Sequence, residues 1–514
     1  MIGDDSTRTK LIDGDDMAGG TKDFYEADFG STLFPMQTNR LMIEHHEAEL
    51  SEYVYQKILN GASKADNFLP QQRVYATKPR DHLRRTVKLD PIAEYFLYDV
   101  VYRNRAIFRG PVSTPREAFG YRFKEGNAVS VSAAYRAFTA RVSDEKTKHA
   151  HHLSFDVASY FNSVYHHDIS HWFKSHGAVT DVDGDALSQF FREIATGRSV
   201  DFLPQGIYPS KMIGSEFLKY IDLSGELKSS VILRLMDDFY LFDDSDEILK
   251  QDFIKIQKLL GLYSLNVNPM KTRIDANRQD VGAAVSALRR ELLDTIEVEV
   301  DVVDVFGSGV QKDIVEIEVE KKLDEQQIAT LLGLLKRDDL EEADADLILS
   351  LLKTHSDSLL TLIPSLLNRF PNITKHIYLV CSAVQDKEGL SAAVQAYLSD
   401  SKHFLEYQLF WLAVLAEEQL HGTSGYGQIL MSIYERTAEY KIARAKVLEI
   451  PEQGYGFKSI RTEHLKTGAS DWLAWASAMG TRNLKPAERN YTLDYFSKAS
   501  PLNYLIASCV SKLP

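Results

Sequence analysis

Cysteine is almost absent from this chain of 514 residues, which has two. Cys381 and Cys509 lie far apart in apolar helical stretches, so neither a disulfide framework nor a cysteine-based zinc cluster is expected. Long apolar runs are missing as well. The most hydrophobic segment, around Phe410 to Ala416, falls far short of the ~20 residues that a membrane span needs, and the first residues lack the apolar core of a signal peptide. The expectation is a protein that is neither exported nor inserted, has no membrane partner and works in a reducing cytoplasm. Positive charge is in deficit: 59 Lys and Arg stand against 73 Asp and Glu, a formal charge of -14. A surface that coats duplex nucleic acid needs dense cations to displace counterions. Any nucleotide or strand must therefore be held in a local basic pocket.

What is present starts with 44% apolar residues, enough for several cores in a few domains. Residues 1–30 are expected to be a flexible segment, because the Gly, Asp, Thr and Ser of its first ~22 residues offer little to offset the entropy of ordering. Cations then cluster, first Arg73, Lys78, Arg80, Arg84, Arg85 and Lys88, then Arg103, Arg105 and Arg109. The run supplies the basic pocket that the net charge demands, although the last three also fit a solvated helix face. Between residues 150 and 275 short β-type runs alternate with amphipathic helical ones, the pattern of an α+β domain. Residues 291–322 alternate apolar with acidic side chains and read as a connecting hairpin or linker, with "GSG" at 307–309 a turn. From 323 to 514 helix follows helix. Ile328, Leu331, Leu332 and Leu335 trace the i, i+3, i+4, i+7 stripe, and such patterns recur between short breaks, as in stacked HEAT-like hairpins. Arrays of this kind usually serve as scaffolds or interaction surfaces.

The chemistry-bearing residues interrupt the apolar runs. In "ILRLMDDFYLF" the adjacent carboxylates Asp237 and Asp238 break what is otherwise a buried strand or hairpin, an expensive arrangement without a metal or a basic partner. A lone Asp-Asp pair more often marks an exposed turn. About eighty residues upstream, however, "LSFDVASYF" puts Asp156 at the end of another β-type run. Three carboxylates from two neighbouring strands can hold two divalent ions ~4 Å apart, the geometry that stabilises both oxygens in phosphoryl transfer. The histidines of "HAHH" (149–152) and "HHDISH" (166–171) lack zinc-site spacing and are expected to be structural.

Motif by motif and in order, residues 70 to 275 resemble the reverse-transcriptase fingers and palm. The matching pieces are Asp156 with Phe161 five residues on, "LPQGIYPS" at 203–210, "LMDD" at 235–238, and "LNVNPMKT" with Asn268 and Lys271. The resemblance extends the α+β reading to a fingers and palm over 31–290, followed by the all-α HEAT-like domain over 323–514. It implies that Asp156 and Asp237 are the principal ligands of two Mg ions, or Mn, with Asp238 and the Val157 carbonyl assisting. It also makes Phe161 the gate against a 2'-hydroxyl, so that dNTPs are the substrates. Gln205 and Gly206 would shape the nucleotide pocket, Lys271 would meet the leaving pyrophosphate, and Lys78, Arg84 and Arg85 would grip the triphosphate. "REAFGYRF", with Tyr121 and Arg122, resembles the second fingers motif.

Arg84-Arg85, "SKMIGSE" at 210–216, "DDF" at 237–239 and the long helical C-terminal half narrow the resemblance to the bacterial abortive-infection (Abi) polymerases, the group that includes AbiK and AbiA. Membership would imply protein-primed, template-independent DNA synthesis in phage defence, a covalently attached single-stranded DNA product and a trimer-based homo-oligomer. Leu235 departs from the aromatic that opens the third motif in retroviral enzymes, and no thumb or RNase H segment is recognisable. Both departures count against ordinary template copying. Tyr25, just after the polar tail, is the priming candidate, with Tyr53, Tyr55 or a tyrosine of the helical half as alternatives. Two other functions remain open at this point: a template-copying reverse transcriptase with a noncoding RNA partner, and a non-catalytic nucleotide-binding scaffold.

Overall fold

The computed structural model describes residues 20–61, 66–108, 110–124, 126–195, 201–274, 323–337, 340, 342–401 and 403–513, with the backbone alone of 293–303, 310–320 and 343. Residues 1–19, Arg109 and the 307–309 turn lie outside the described residues. Contacts divide the chain into two units: Met1–Val74, Arg85–Ala276 and Arg461–Pro514 form the first, Tyr75–Arg84 and Asn277–Ile460 the second.

The first unit is built on a mixed five-stranded sheet of the reverse-transcriptase palm type. Its strands are β3 (Arg116–Phe119), β6 (His151–Asp156), β7 (Val231–Leu235), β8 (Asp238–Asp243) and β9 (Arg273–Ile274), in the order β3-β7-β8-β6-β9. The lower numbers β1 (Gln72–Thr77), β2 (Leu83–Lys88), β4 (Phe123–Lys124) and β5 (Asn127–Ala128) belong to two small hairpins. Helices cover both faces of the sheet. Phe138 of the helix Val131–Lys148 packs on Phe119 and Tyr240, in a cluster with Leu233, Leu235 and Phe242. On the opposite face Phe155 and Phe239 stack at 5.0 Å, and Phe253 of the helix Asp246–Gly261 closes over them. All five residues of β7 are buried, which is why "VILRL" is nearly continuously apolar where a half-exposed strand would alternate.

Two expectations about the ends of the chain are corrected here. Residues 20–30 are not a loose segment: α1 (Thr21–Phe29) buries Phe24 and Tyr25, and its Asp28 Oδ2 accepts the Tyr208 N–H at 2.7 Å. An aromatic trio, too short to register as a periodic pattern, is ordered by Tyr98, Tyr102, Phe123 and Tyr208 around it. Nor does the helical array run unbroken from 323 to 514. Residues 461–514 belong to the first unit, where the helix Pro501–Lys512 packs on α2 (Gln37–Glu52). His46 Nε2 lies 3.1 Å from Ser508 Oγ, and Lys512 Nζ lies 2.9 Å from Glu49. The apolar face of α2, with Met42, Ile43 and Leu50 fully buried, needs that cover.

In the second unit, β10 (Leu293–Val303) pairs antiparallel with β11 (Val310–Glu320), Leu293 opposite Glu320 and Val303 opposite Val310. The helices that follow pack on their next-but-one neighbours, Ile363–Arg369 on Lys387–Asp400 and Thr374–Cys381 on Glu406–Gln419, a two-layer stack. Glu406–Gln419 is its centre, buried on every side from Glu406 to Ala416. The β1–β2 tip joins this unit: Arg80 N–H bonds Glu342 Oε1 at 3.3 Å, and Tyr75 N–H bonds Glu406.

Candidate active site

The β7–β8 hairpin places two of the three carboxylates. Leu235 pairs with Asp238, so the connection is the two-residue turn Met236–Asp237. Hairpins of this length need a positive φ, which glycine usually supplies. Here Met236 takes it, at φ +61, at a cost of ~1–2 kcal/mol for an L-residue. Packing and hydrogen bonding offset that strain. Met236 is 6% exposed and seats against Gly214, where an added Cβ would come within 2.7 Å of Met236 Cε. Beneath the turn, Arg234 donates from Nη1 to the Met236 carbonyl at 3.0 Å while its Nε and Nη2 grip Asp222. The part Arg234 plays in holding this turn was not foreseen; its signal was a lone cation in an apolar run three residues before the acidic pair.

Antiparallel pairing of β6 with β8 sets Asp156 directly opposite Asp238, so both side chains project to one side of the sheet. Val157 N–H bonds the Asp237 carbonyl at 3.2 Å, fastening the turn to the end of β6. The segment after Leu265 runs alongside, with Ala158 N–H to the Asn266 carbonyl at 2.7 Å and Asn268 N–H to the Asp156 carbonyl at 2.9 Å. That path delivers Lys271, whose Nζ lies 2.7 Å from Asp156 Oδ2. Asp156, Asp237, Asp238 and Lys271 are thus brought together at one end of the sheet.

The set is short of cations. Burial first, and then the charge of Asp238, push the Asp237 carboxyl up to about 6; Asp156 adds to the rise and Lys271 opposes it. Asp238, exposed at the start of its strand, is raised too, by the partial desolvation of its carboxyl and by Asp156 against the pull of Lys271. Burial acts to lower the Lys271 ammonium, but its bond to Asp156 and the surrounding carboxylates raise it overall. Asp156 Oδ1 is buried with no hydrogen-bond partner. An orphaned carboxylate oxygen beside two crowded carboxyls fits a divalent-cation site. Among the described residues no three such side chains form a ready-made cage, so the carboxylates would have to draw together around ions.

The neighbouring pocket is also partly assembled. Thr86 Oγ1 donates to the Gln205 carbonyl at 2.9 Å and accepts the Gln205 N–H at 3.0 Å, while Arg85 Nε reaches Asn162 Oδ1 at 3.3 Å. Phe161, between Tyr160 and Asn162, is 7% exposed. Gly206 sits at φ +103, and an added Cβ would overlap the Leu33 side chain, so glycine is required on both counts. Thr86 and Leu33 carry no motif and were not foreseen. Lys78 and Arg84 belong to the second unit, where Arg84 lies beside Tyr407.

Several expected roles do not survive. Tyr25 is 1% exposed, packed on Tyr98 and Phe29, and a phenol enclosed in that way cannot enter an active site and carry a charged strand; it is not the priming residue of this conformation. Tyr53 and Tyr55 donate to Asp66 and Asp99. Lys88 is buried on Glu94 at 2.7 Å, and Arg103 pairs with Asp99 and Asp183 while lying over Tyr55, so these cations build the fold. His166, buried and bonded to Phe202, and His149, paired with Glu145, by contrast take the structural places expected of them.

On the other flank of the carboxylates stands Tyr121. β3 runs parallel to β7 with Phe119 beside Leu235, so Tyr121 and Asp237 lie two residues beyond partnered positions. Its hydroxyl is pushed up to about 12, by burial and then by the charges of Asp237 and Asp238.

Residues 113–291 match the family model described as reverse transcriptase (RNA-dependent DNA polymerase). No curated protein sequence matches the chain. Among solved structures it is similar to a telomerase from Candida albicans in complex with a TWJ fragment of telomeric RNA, at 13% identity and TM-score 0.30, over 76% of this chain and 69% of that one. An apo telomerase from Candida tropicalis is similar at 14% identity and TM-score 0.33, over 84% and 72%.

Proposed function

We propose that the chain is a protein-primed, template-independent DNA polymerase of abortive-infection defence, joining dNTPs by nucleotidyl transfer at Asp156, Asp237 and Asp238. The match to the reverse-transcriptase model supports nucleotidyl transfer by a reverse-transcriptase-like domain. The observation that carries the reading is the row of acidic strand ends with Lys271 on Asp156 and Asp156 Oδ1 left without a partner. Asp156 and Asp237, with Asp238 and the Val157 carbonyl, would hold two Mg or Mn ions, which when bound supply positive charge to the attacking and leaving oxygens. Lys271 turns from Asp156 to the leaving pyrophosphate and offers it a proton. Arg85 meets the triphosphate, Gln205 and Gly206 bound the nucleotide, and Phe161 closes the space that a 2'-hydroxyl would need. The first strand-bearing hydroxyl belongs to a residue other than Tyr25.

The finer parts of this reading rest on the motif resemblance to the abortive-infection polymerases, a trimer-based homo-oligomer included. Incubating the purified chain with labelled dNTPs and Mg2+, without template, and running a denaturing gel tests them. Label migrating with the protein is expected. Strict dependence on an added template overturns template independence, and absence of label with every nucleotide overturns the polymerase itself. Phage plaque counts on cells expressing the wild type and Asp237→Asn test the defence role, which falls if the two protect equally.

A further inference from the structure

The strand order lines up a row of chain ends along one edge of the sheet: Tyr121 beyond β3, the Met236–Asp237 turn, Asp238, Asp156, and Lys271 before β9. Lys271 closes one end of the row and Tyr121 the other. In an in-line displacement the attacking and leaving oxygens stand on opposite sides of the phosphorus. If Lys271 meets the pyrophosphate, the attacking hydroxyl arrives from the Tyr121 side.

The geometry of Tyr121 suits that position. Gly120 (φ +69) and Tyr121 (φ +49) are both left-handed. Gly120 is held to glycine, since an added Cβ would stand 2.9 Å from that of Ala134. The Tyr208 hydroxyl braces the bend, accepting the N–H groups of Tyr121 and Arg122 and donating to the Val129 carbonyl. A strained, braced backbone at an active-site rim aims its side chain. The half-buried ring lies 5.6 Å from that of Tyr208, with Lys211 Nζ 5.9 Å from its centroid. An aromatic face with an adjoining ammonium matches a strand end, because every base has a π-face to stack and every linkage a phosphate to neutralise.

We infer that Tyr121, with Lys211 beside it, is the contact for the strand end that supplies the attacking hydroxyl, its ring stacking on the terminal base. This rests on the polymerase reading and on the place given there to Lys271. The test uses the full chain with Mg2+, a short single-stranded DNA oligonucleotide and one labelled dNTP. It follows both extension of the oligonucleotide and label attached to the protein, since in either product each addition after the first presents a terminal base. Loss of one stacked base predicts, for Tyr121→Leu, an about tenfold higher KM for the strand, or about tenfold slower second and later additions on the protein. The KM for dNTP is expected to stay within about twofold, and Tyr121→Phe, which keeps the ring, within about twofold on both measures. If Tyr121→Leu does not fold, Lys211→Gln replaces it, with an about threefold rise in strand KM that shrinks at high salt. An unchanged strand KM, or a dNTP KM that rises in step with it, overturns the inference and leaves the polymerase standing. No incorporation by the wild type in either product overturns both.

Discussion

Replacing Arg234 by methionine separates the stability of the palm from the positioning of the turn that carries Asp237. The guanidinium is 1% exposed and Asp222 is 5% exposed, so the pair is desolvated on both sides. Burial works against the arginine's charge, and the attraction of Asp222 more than restores it. Arg234→Met strips Asp222 of its partner, and breaking a buried pair in this way costs about 3–5 kcal/mol. It also removes the donor to the Met236 carbonyl. In Arg234→Met/Asp222→Leu no charge is left stranded, and such replacements are neutral or stabilising by ~1–4 kcal/mol. The turn, however, still lacks its hydrogen bond, which leaves the packing of Met236 against Gly214 alone to hold its positive φ. Thermal melts of the single variant are expected to fall by several degrees and those of the double variant to recover, whereas kcat for single-nucleotide incorporation stays about tenfold or more below wild type in both, equivalent to ~1.4 kcal/mol of lost positioning. Hydrogen exchange in residues 231–243 should remain fast in the double variant. Wild-type kcat in the double variant refutes the positioning argument, and wild-type melting of the single variant refutes the buried pair.

Asp237→Asn is expected to abolish incorporation. A carboxyl raised to about 6 favours the fold below its ordinary value of 3.8 and loses that contribution as pH rises through 6, so the amide should stabilise the metal-free chain at pH 8 by ~1–2 kcal/mol; a lower melting temperature would refute this. For the same reason wild-type incorporation at fixed Mg2+ should climb as pH passes about 6, and a flat profile from about pH 5 to 8 speaks against Asp237 as a ligand. Gly206→Ala should cost ~1–3 kcal/mol and raise the KM for dNTP, with Leu33→Ala restoring only the share due to overlap; full restoration would show that φ +103 carries no strain. Glu406, pushed up to about 7 by burial against the N–H groups of Ile442, Ala443 and Tyr75, should make the second unit lose ~2–3 kcal/mol between its ordinary value of 4.5 and about 7. Melts of Glu406→Gln at pH 5 and pH 8 should differ less than those of wild type, and an equal difference would place the titration elsewhere.

The acidic triad was legible because its cost is written locally. Asp156 and the Asp237-Asp238 pair each sit at the end of an apolar run that gains nothing from a charge, and the order of the flanking motifs supplied the topology. Register followed once β6 and β8 were paired, and it alone sets Asp156 opposite Asp238. The place of residues 461–514 was not legible in this way. Helical periodicity shows that Leu502, Ile506 and Val510 share a buried face, but not that its cover is α2, more than four hundred residues earlier.

Cations show where composition runs out, because sign is read from the sequence but partnership is not. The run from Arg73 to Arg105 suggested a basic pocket, yet Lys88 and Arg103 are engaged with Glu94, Asp99 and Asp183, and Arg234 with Asp222. Pairing by itself does not separate structural cations from functional ones, since Lys271 is also paired. Exposure does. The Lys88 side chain is 5% exposed, and leaving Glu94 would strand two charges in the interior. That of Lys271 is 62% exposed, so its bond to Asp156 is close to a surface ion pair in cost, about 1 kcal/mol or less, and exchangeable for another anion. Release of Lys271 would leave the charge of Asp156 for a divalent ion to neutralise, so metal entry and the freeing of this ammonium are expected to favour one another. Lys271→Met removes the competing cation without removing a ligand. It should therefore bind Mn2+ at least as tightly as wild type while incorporating nucleotide more slowly, and weaker Mn2+ binding would show that the ammonium supports the site instead of guarding it.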